Sequence, residues 1–224
     1  MQVSELIVRY LERLGIRQLF GIPGAHVLPI YDHLYHSSIH SILTKHEQGA
    51  SFMAGGVARV SGQVSACIAT AGPGATNLVT GLANAMLDSV PIVALTGQIP
   101  SNMIGTDAFQ EVDCINITMP VTKHNELVLH AEDLVPAIKS AFHIANSGRK
   151  GPVLLDFPKD VLNKKFAHNF QSEINLPGYN PTIKGNVGQM STSIVWGINE
   201  KGVTRVHCGR IFTNDGFNAF THRA

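Results

Sequence analysis

Cysteine, charge and long apolar runs are all scarce in this sequence of 224 residues. Its three cysteines, Cys67, Cys114 and Cys208, show neither C-x-x-C spacing nor a nearby histidine pattern. We interpret them as reduced thiols of a cytoplasmic protein, which excludes a disulfide framework and a zinc site. No apolar run reaches the ~18–20 residues of a membrane span, and the N-terminus lacks the basic and apolar regions of a secretory signal.

Excess charge of either sign is also missing, because 17 basic residues face 16 acidic ones and neither forms a run. This balance gives no support for binding to nucleic acids or other polyanions. By contrast, hydrophobic residues make up 44% of the chain. The length and this apolar content predict a large buried core in one α/β domain, with or without part of a second domain.

Short apolar runs alternate with stretches of helical periodicity along most of the chain. Predicted strands occupy residues 18–20, 39–43, 64–70, 91–96 and 152–157, with a further short strand at 120–122. Predicted helices occupy residues 3–14, 26–35, 47–59, 78–87 and 131–147. Because the strands are apolar throughout and alternate with helices, the sequence predicts an α/β fold with a parallel sheet covered by helices on both faces.

The composition changes after Pro158. Residues 163–190 are polar and include the run P-G-Y-N-P, which is typical of a linker, so the first domain is placed at residues 1–162. Residues 191–224 contain one predicted strand, at 204–208, and one predicted helix, at 217–222. That is too little to form a core, so this tail is expected to be poorly packed.

Polar or glycine-rich segments follow four of the predicted strands, at residues 21–24, 45–50, 71–77 and 97–113. Because the carboxyl ends of parallel strands meet at one edge of a sheet, we expect these segments to cluster there. Glu47 then has two interpretations, a first-turn acid that complements the helix dipole or a buried acid that does chemistry. The glycine turns, which lack the known phosphate-binding spacings, serve either close strand–helix packing or close approach of backbone to a ligand.

Six longer motifs make a family resemblance specific. They are F-G-I-P-G (20–24), H-E-Q-G-A (46–50), G-P-G-A-T-N (72–77), G-T-D-A-F-Q-E (105–111), T-K-H-N (122–125) and G-P-V-L-L-D-F-P-K-D-V (151–161). With them, residues 3 to about 184 resemble the N-terminal, pyrimidine-binding domain of thiamine-diphosphate enzymes. The last three motifs resemble in particular the large catalytic subunit of acetohydroxyacid synthase (acetolactate synthase). Residues 191–224 weakly resemble the start of that family's central domain, truncated.

The resemblance implies roles for individual residues. Glu47 matches the family's glutamate that hydrogen-bonds N1′ of the thiamine pyrimidine and takes part in proton transfer, which makes it both catalytic and cofactor-binding. The resemblance also implies cofactor-binding positions at Gly24, Pro73, Asn77 and Arg149, the last toward FAD, and catalytic positions at Gln110 and Lys123.

The implied cofactors are thiamine diphosphate, FAD and Mg²⁺, with the Mg²⁺ ligands in a domain that this chain does not contain. The implied substrates are pyruvate and 2-oxobutanoate, which enter a decarboxylation and condensation in branched-chain amino acid biosynthesis. In this family the site lies between two subunits, which implies a homo-oligomer or pairing with chains that carry the missing domains. We therefore expect an N-terminal fragment that is inactive alone.

Two other hypotheses stay open. The chain departs from the family pattern at Ala25, where a glycine is usual, and at Met119, where an arginine is usual. These departures are compatible with a non-catalytic remnant that only folds or pairs with a full-length subunit. The third hypothesis is a related carboligase or decarboxylase with a different substrate, such as the flavin-free catabolic acetolactate synthase, and residues 105–111 and Arg149 argue against it by resemblance.

Overall fold

The computed structural model describes residues 1–167 and 176–181 and, for their backbone only, two strands within residues 195–207. By internal contacts the chain divides into two compact units, Met1–Gly178 and Tyr179–Ala224. The first unit holds every segment that the sequence assigned to a functional site. Among the helices described, none is both long enough and apolar enough to cross a membrane.

The first unit is built on a sheet of six parallel strands. These strands are β1 (Gln18–Gly21), β2 (His40–Leu43), β3 (Ser65–Ala69), β4 (Ile92–Gln98), β5 (His124–Leu127) and β6 (Val153–Pro158). Their order across the sheet is β2-β1-β3-β4-β6-β5. Strands β3, β4 and β6 are buried along their whole length, as central strands of a parallel sheet must be. The predicted parallel α/β fold is confirmed.

Eight α-helices flank these strands in the described part of the chain. They are α1 (Val3–Arg13), α2 (Leu28–Leu34), α3 (Glu47–Ser61), α4 (Pro73–Asn77), α5 (Val79–Leu87), α6 (Cys114–Thr118), α7 (Leu134–Asn146) and α8 (Lys159–Asn163). On one face, small residues of α3 such as Ala50 and Ala54 share a core cluster with Cys67 and Ala94 of the sheet. Val93, which alternates with Ala94 and so belongs to the opposite face of the sheet, is also buried. Helix α7 contacts β4, β5 and β6. Helices therefore cover both faces.

The edge strand of the sheet differs from the sequence prediction. The strand predicted at residues 120–122 is wrong, because Met119–Val121 forms a 3-10 helix and β5 begins only at His124. Pro120 has no N–H to give to a strand ladder and its fixed φ suits a turn. Strand β5 has the sequence H-N-E-L and is half-buried throughout, so it gave no apolar signal.

The second unit contains an antiparallel pair of strands, β7 (Val195–Ile198) and β8 (Thr204–His207). Strand β8 corresponds to the strand predicted at residues 204–208, whereas the sequence analysis did not predict β7. The helix predicted at residues 217–222 and the packing of the tail lie outside the described residues.

Candidate functional site

Glu47 and Asn77, two residues singled out from separate motifs, are in direct contact. Glu47 opens α3 just after β2 and is only 9% exposed. His46 caps the helix, its Nδ1 accepting a hydrogen bond from the backbone N–H of Gln48 at 3.1 Å. The Nδ2 of Asn77, the last residue of α4, donates to Oε2 of Glu47 at 3.0 Å. The carboxylate is thus held at the carboxyl edge of the sheet with a defined orientation.

Two glycine turns, at Gly24 and Gly74, both contact Thr70 near this carboxylate. A Cβ atom added to Gly24 would lie 2.4 Å from Cβ of Thr70, so no larger residue fits there without movement. A Cβ on Gly74 would lie 2.9 Å from Cγ2 of Thr70 and 3.5 Å from Oε1 of Glu47. Pro73 is exposed at the first position of α4. Both turns therefore pack against Thr70, and the turn at Gly74 lies next to the carboxylate of Glu47. The sequence analysis did not single out Thr70. The pattern that could have identified it is a polar residue directly after a buried strand.

Gln110 reaches the same edge through its backbone. It lies in the long connection between β4 and α6 and adopts φ +64°. A Cβ on Gly72, whose own φ is +59°, would lie 2.5 Å from the carbonyl oxygen of Gln110. Glu111 closes this loop by accepting hydrogen bonds from the backbone N–H groups of Gly105 and Ala108. These bonds, the one from Gly105 above all, hold the pKa of Glu111 below its ordinary value.

Lys123 and Arg149 lie at the opposite, amino edge of the sheet. Lys123 directly precedes β5, and Arg149 lies a few residues before β6. The Nζ of Lys123 donates to the carbonyl oxygens of Ile144 and Ser147 at the end of α7. Arg149 donates to Oγ of Ser89 at 3.0 Å and to the carbonyl oxygen of Met86 at 2.7 Å. The structure therefore does not bring these two predicted site residues to Glu47.

Replacing Lys123 by methionine is expected to lower the free energy of unfolding by about 1–2 kcal/mol. The change removes a cation that binds the last carbonyls of α7, where the helix dipole is negative. Chemical denaturation of the purified chain measures the effect. Lys45→Met, at an exposed position, is the matched control. Equal stability of the two variants would contradict the anchoring role.

Comparison with known proteins gives the family. Residues 1–117, just over half of the chain, match the family described as "Thiamine pyrophosphate enzyme, N-terminal TPP binding domain". The chain belongs to the thiamine pyrophosphate enzyme family. Among its relatives, the acetolactate synthase large subunit of Corynebacterium glutamicum is 52% identical over 195 residues, which are 87% of this chain and 31% of that protein.

Two further relatives of this thiamine pyrophosphate enzyme chain are also acetolactate synthase large subunits. The acetolactate synthase isozyme 1 large subunit of Escherichia coli is 55% identical over 73% of the chain and 29% of its own length. The probable acetolactate synthase large subunit of Methanocaldococcus jannaschii is 47% identical over 83% of the chain and 32% of its own length. The resemblance to acetolactate synthase large subunits is confirmed. The chain spans about a third of the length of these relatives.

The residues at the carboxyl edge fit the flat aminopyrimidine of the family's cofactor. At Gly24 and Gly74 the space that a Cβ would occupy is filled by the side chain of Thr70, so these two glycines serve close packing of the turns beside the carboxylate. Among the described residues Glu47 accepts one side-chain hydrogen bond, at Oε2, which leaves Oε1 for a ligand. Arg149, which the resemblance assigns to FAD, is bonded to Ser89 and to the carbonyl oxygen of Met86 at the amino edge. In the described ranges no three histidine, cysteine or acidic side chains are grouped as metal ligands.

Asp156 is a buried carboxyl group at the same edge that the sequence analysis missed. It stands in the apolar strand β6 and is 1% exposed. Its Oδ1 accepts from the hydroxyl of Thr96 at 2.7 Å and its Oδ2 from Nε2 of Gln98 at 3.0 Å. Burial raises the pKa of Asp156 to about 7, against the effect of these hydrogen bonds. An acid inside an apolar strand was the signal available in the sequence.

Asp156 is expected to make the folded chain less stable as pH rises. The carboxyl has an ordinary pKa of 3.8 and a folded pKa of about 7, so the folded state binds the extra proton between these values. The contribution of Asp156 to the free energy of unfolding is complete below the lower pKa and is lost as pH rises through the higher one. The loss amounts to about 2–3 kcal/mol between about pH 5 and about pH 8. Denaturant titrations at both pH values should show that the stability of Asp156→Asn decreases less between these pH values than the stability of the parent. An identical fall in both proteins would contradict it.

Proposed function

We propose that this chain supplies the pyrimidine-binding half of a thiamine-diphosphate site for acetolactate synthesis. The reaction is the decarboxylation of pyruvate and its condensation with a second 2-oxoacid, either pyruvate or 2-oxobutanoate. The observation that carries the proposal is the Glu47–Asn77 hydrogen bond beside the two glycine turns. In this proposal the residues that bind the diphosphate and Mg²⁺ lie in the part of the relatives that this chain does not span.

The residues of the site have distinct tasks in this proposal. Thiamine diphosphate, when bound, supplies the nucleophilic carbon and accepts the electrons of decarboxylation. Glu47 holds and moves a proton at N1′ of the pyrimidine, and Asn77 fixes the carboxylate through Oε2. The turns at Gly24 and Pro73 border the ring with backbone, while Gln110 faces the substrate side. Lys123 and Arg149 are given no step, because their side chains bind carbonyl groups at the other edge.

The proposal extends to features supported by the family resemblance alone. These are FAD as a further cofactor, a cytoplasmic location, and a homo-oligomer or a pairing with chains that carry the part of the relatives that this chain does not span. The competing candidate is a remnant that folds and pairs with a full-length subunit without catalysis. It is favoured by Ala25 and Met119, which replace residues usual in the family.

Fragment complementation tests the proposal. The full chain is mixed with a second polypeptide that holds the remaining part of the Corynebacterium glutamicum large subunit, in the presence of thiamine diphosphate, Mg²⁺, FAD and pyruvate. Acetolactate is expected from the mixture and from neither polypeptide alone. The matched control replaces our chain by the corresponding piece of the relative.

Two results would contradict the proposal. Acetolactate formation by our chain alone would show that it is not half of a site. An inactive mixture, when the control mixture is active, would establish the non-catalytic candidate instead.

A further inference from the structure

The connection between β4 and α6, residues 99–113, is held mainly from its ends. Ser101, near the first end, donates its backbone N–H and its hydroxyl to the two carboxylate oxygens of Asp160, both at 2.8 Å. Val112, near the second end, accepts a hydrogen bond through its carbonyl oxygen from Nε2 of Gln98 at 3.0 Å. Between these anchors the loop carries Gln110 to the turn at Gly72.

Gln98 is the link between this loop and the sheet. Its Nε2 donates both to the carbonyl oxygen of Val112 and to Oδ2 of Asp156, each at 3.0 Å. Its Oε1 accepts from the backbone N–H of Ile99 at 3.0 Å. The amide group is therefore fully engaged, and Asp156 fixes its orientation so that both ends of the loop are bound by one side chain.

A buried carboxyl group such as that of Asp156 is energetically unfavourable at this position in a strand. In the described part of the chain it makes no ion pair, and the ionisable groups that interact with it electrostatically, Cys114 and Asp113, are themselves acids. A buried carboxyl group destabilises a fold unless hydrogen bonds compensate for its lost hydration. Here Thr96, Gln98 and the backbone N–H of Phe157 donate to it, and only the bond from Gln98 leads to the loop.

We propose that Asp156 is a positioning residue that acts through Gln98 to hold the loop of residues 99–113, and with it Gln110, against the glycine turn beside Glu47. The inference rests on the proposed function only where it counts Gln110 as part of the site. Asp156 itself stays inside the sheet and touches no substrate. The physical effect that we assign to it is local, a loop kept in one conformation.

Amide hydrogen exchange of the full chain without any cofactor tests the proposal. The amides to follow are those of Met103, Thr106 and Glu111, whose hydrogen bonds are made inside the loop. Asp156→Ala and Gln98→Met are each expected to speed their exchange at least about tenfold relative to amides of β3. Asp156→Asn, which can still accept from Gln98 and donate to Thr96, is expected to remain within about twofold of the parent.

Two controls separate positioning from general stability. Leu154→Ala removes a buried side chain from the same face of β6 and should not speed the loop relative to β3. Gln98→Met leaves the Asp156–Thr96 bond in place and serves if Asp156→Ala does not fold. Equal acceleration of loop and strand in Gln98→Met, or an Asp156→Asn loop as fast as that of the other variants, would overturn the proposal. Because no cofactor is present, these results are independent of the complementation assay.

Discussion

Replacing Glu47 by glutamine is expected to lower acetolactate formation in the complemented enzyme by about 10²–10⁴-fold. Glutamine keeps the length of the side chain and an oxygen that can accept from Asn77, whose Nδ2 lies 3.0 Å from Oε2. It has no acidic proton to hold or transfer at the pyrimidine. The loss should therefore appear in kcat, while thiamine diphosphate still saturates the variant at a higher concentration.

The matched control for this substitution is Glu132→Gln. Glu132 is an exposed acid in the short helix before α7, so losing its charge should leave the rate unchanged. Steady-state rates and cofactor titrations of both variants, mixed with the same second polypeptide, give the comparison. A Glu47→Gln enzyme within about threefold of the parent would remove Glu47 from proton transfer.

Replacing Gly72 by alanine is expected to lower the free energy of unfolding by about 3 kcal/mol or more. Gly72 adopts φ 59° and ψ −114°, a region that residues with a Cβ scarcely populate. The new Cβ would also lie 2.5 Å from the carbonyl oxygen of Gln110, which is backbone and has no rotamer to change. Either the turn or the loop of residues 99–113 must move.

Gly56→Ala provides the opposite expectation under the same assay. Gly56 lies within α3, and a Cβ there would meet no atom within 4 Å. Alanine favours a helix over glycine by up to about 1 kcal/mol, so this variant should be more stable than the parent. Guanidinium denaturation measures both changes. A Gly72→Ala protein as stable as the parent would show that the turn relaxes without cost.

Most of the sheet was predictable because its central strands are short apolar runs. Strand β3 reads S-A-C-I-A and β4 begins I-V-A-L, and both are buried on each side. The clustering of Glu47, Gly24 and Asn77 followed from the rule that loops after parallel strands share an edge. Strand β5 was misplaced because a half-buried edge strand carries no such pattern.

The side-chain contacts could not be predicted in the same way. Lys123 lies in a motif shared with the family and Arg149 just before another, yet their contacts depend on the amino edge of the sheet, where the ends of α7 and α5 expose carbonyl oxygens. Asp156 depends on partners 58 and 60 residues away in sequence, Gln98 and Thr96. Such pairings arise from strand neighbours that only the folded sheet defines.

The separation between the two edges of the sheet offers a practical route for protein engineering. Glu47, Asn77 and the glycine turns occupy one edge, whereas Lys123 and Arg149 bind helix and turn carbonyls at the other. Libraries confined to the amino edge can be screened for heat tolerance and expression yield while the edge that carries Glu47 keeps its composition. Libraries at the carboxyl edge can then be screened in the complementation assay on a scaffold whose stability was improved beforehand.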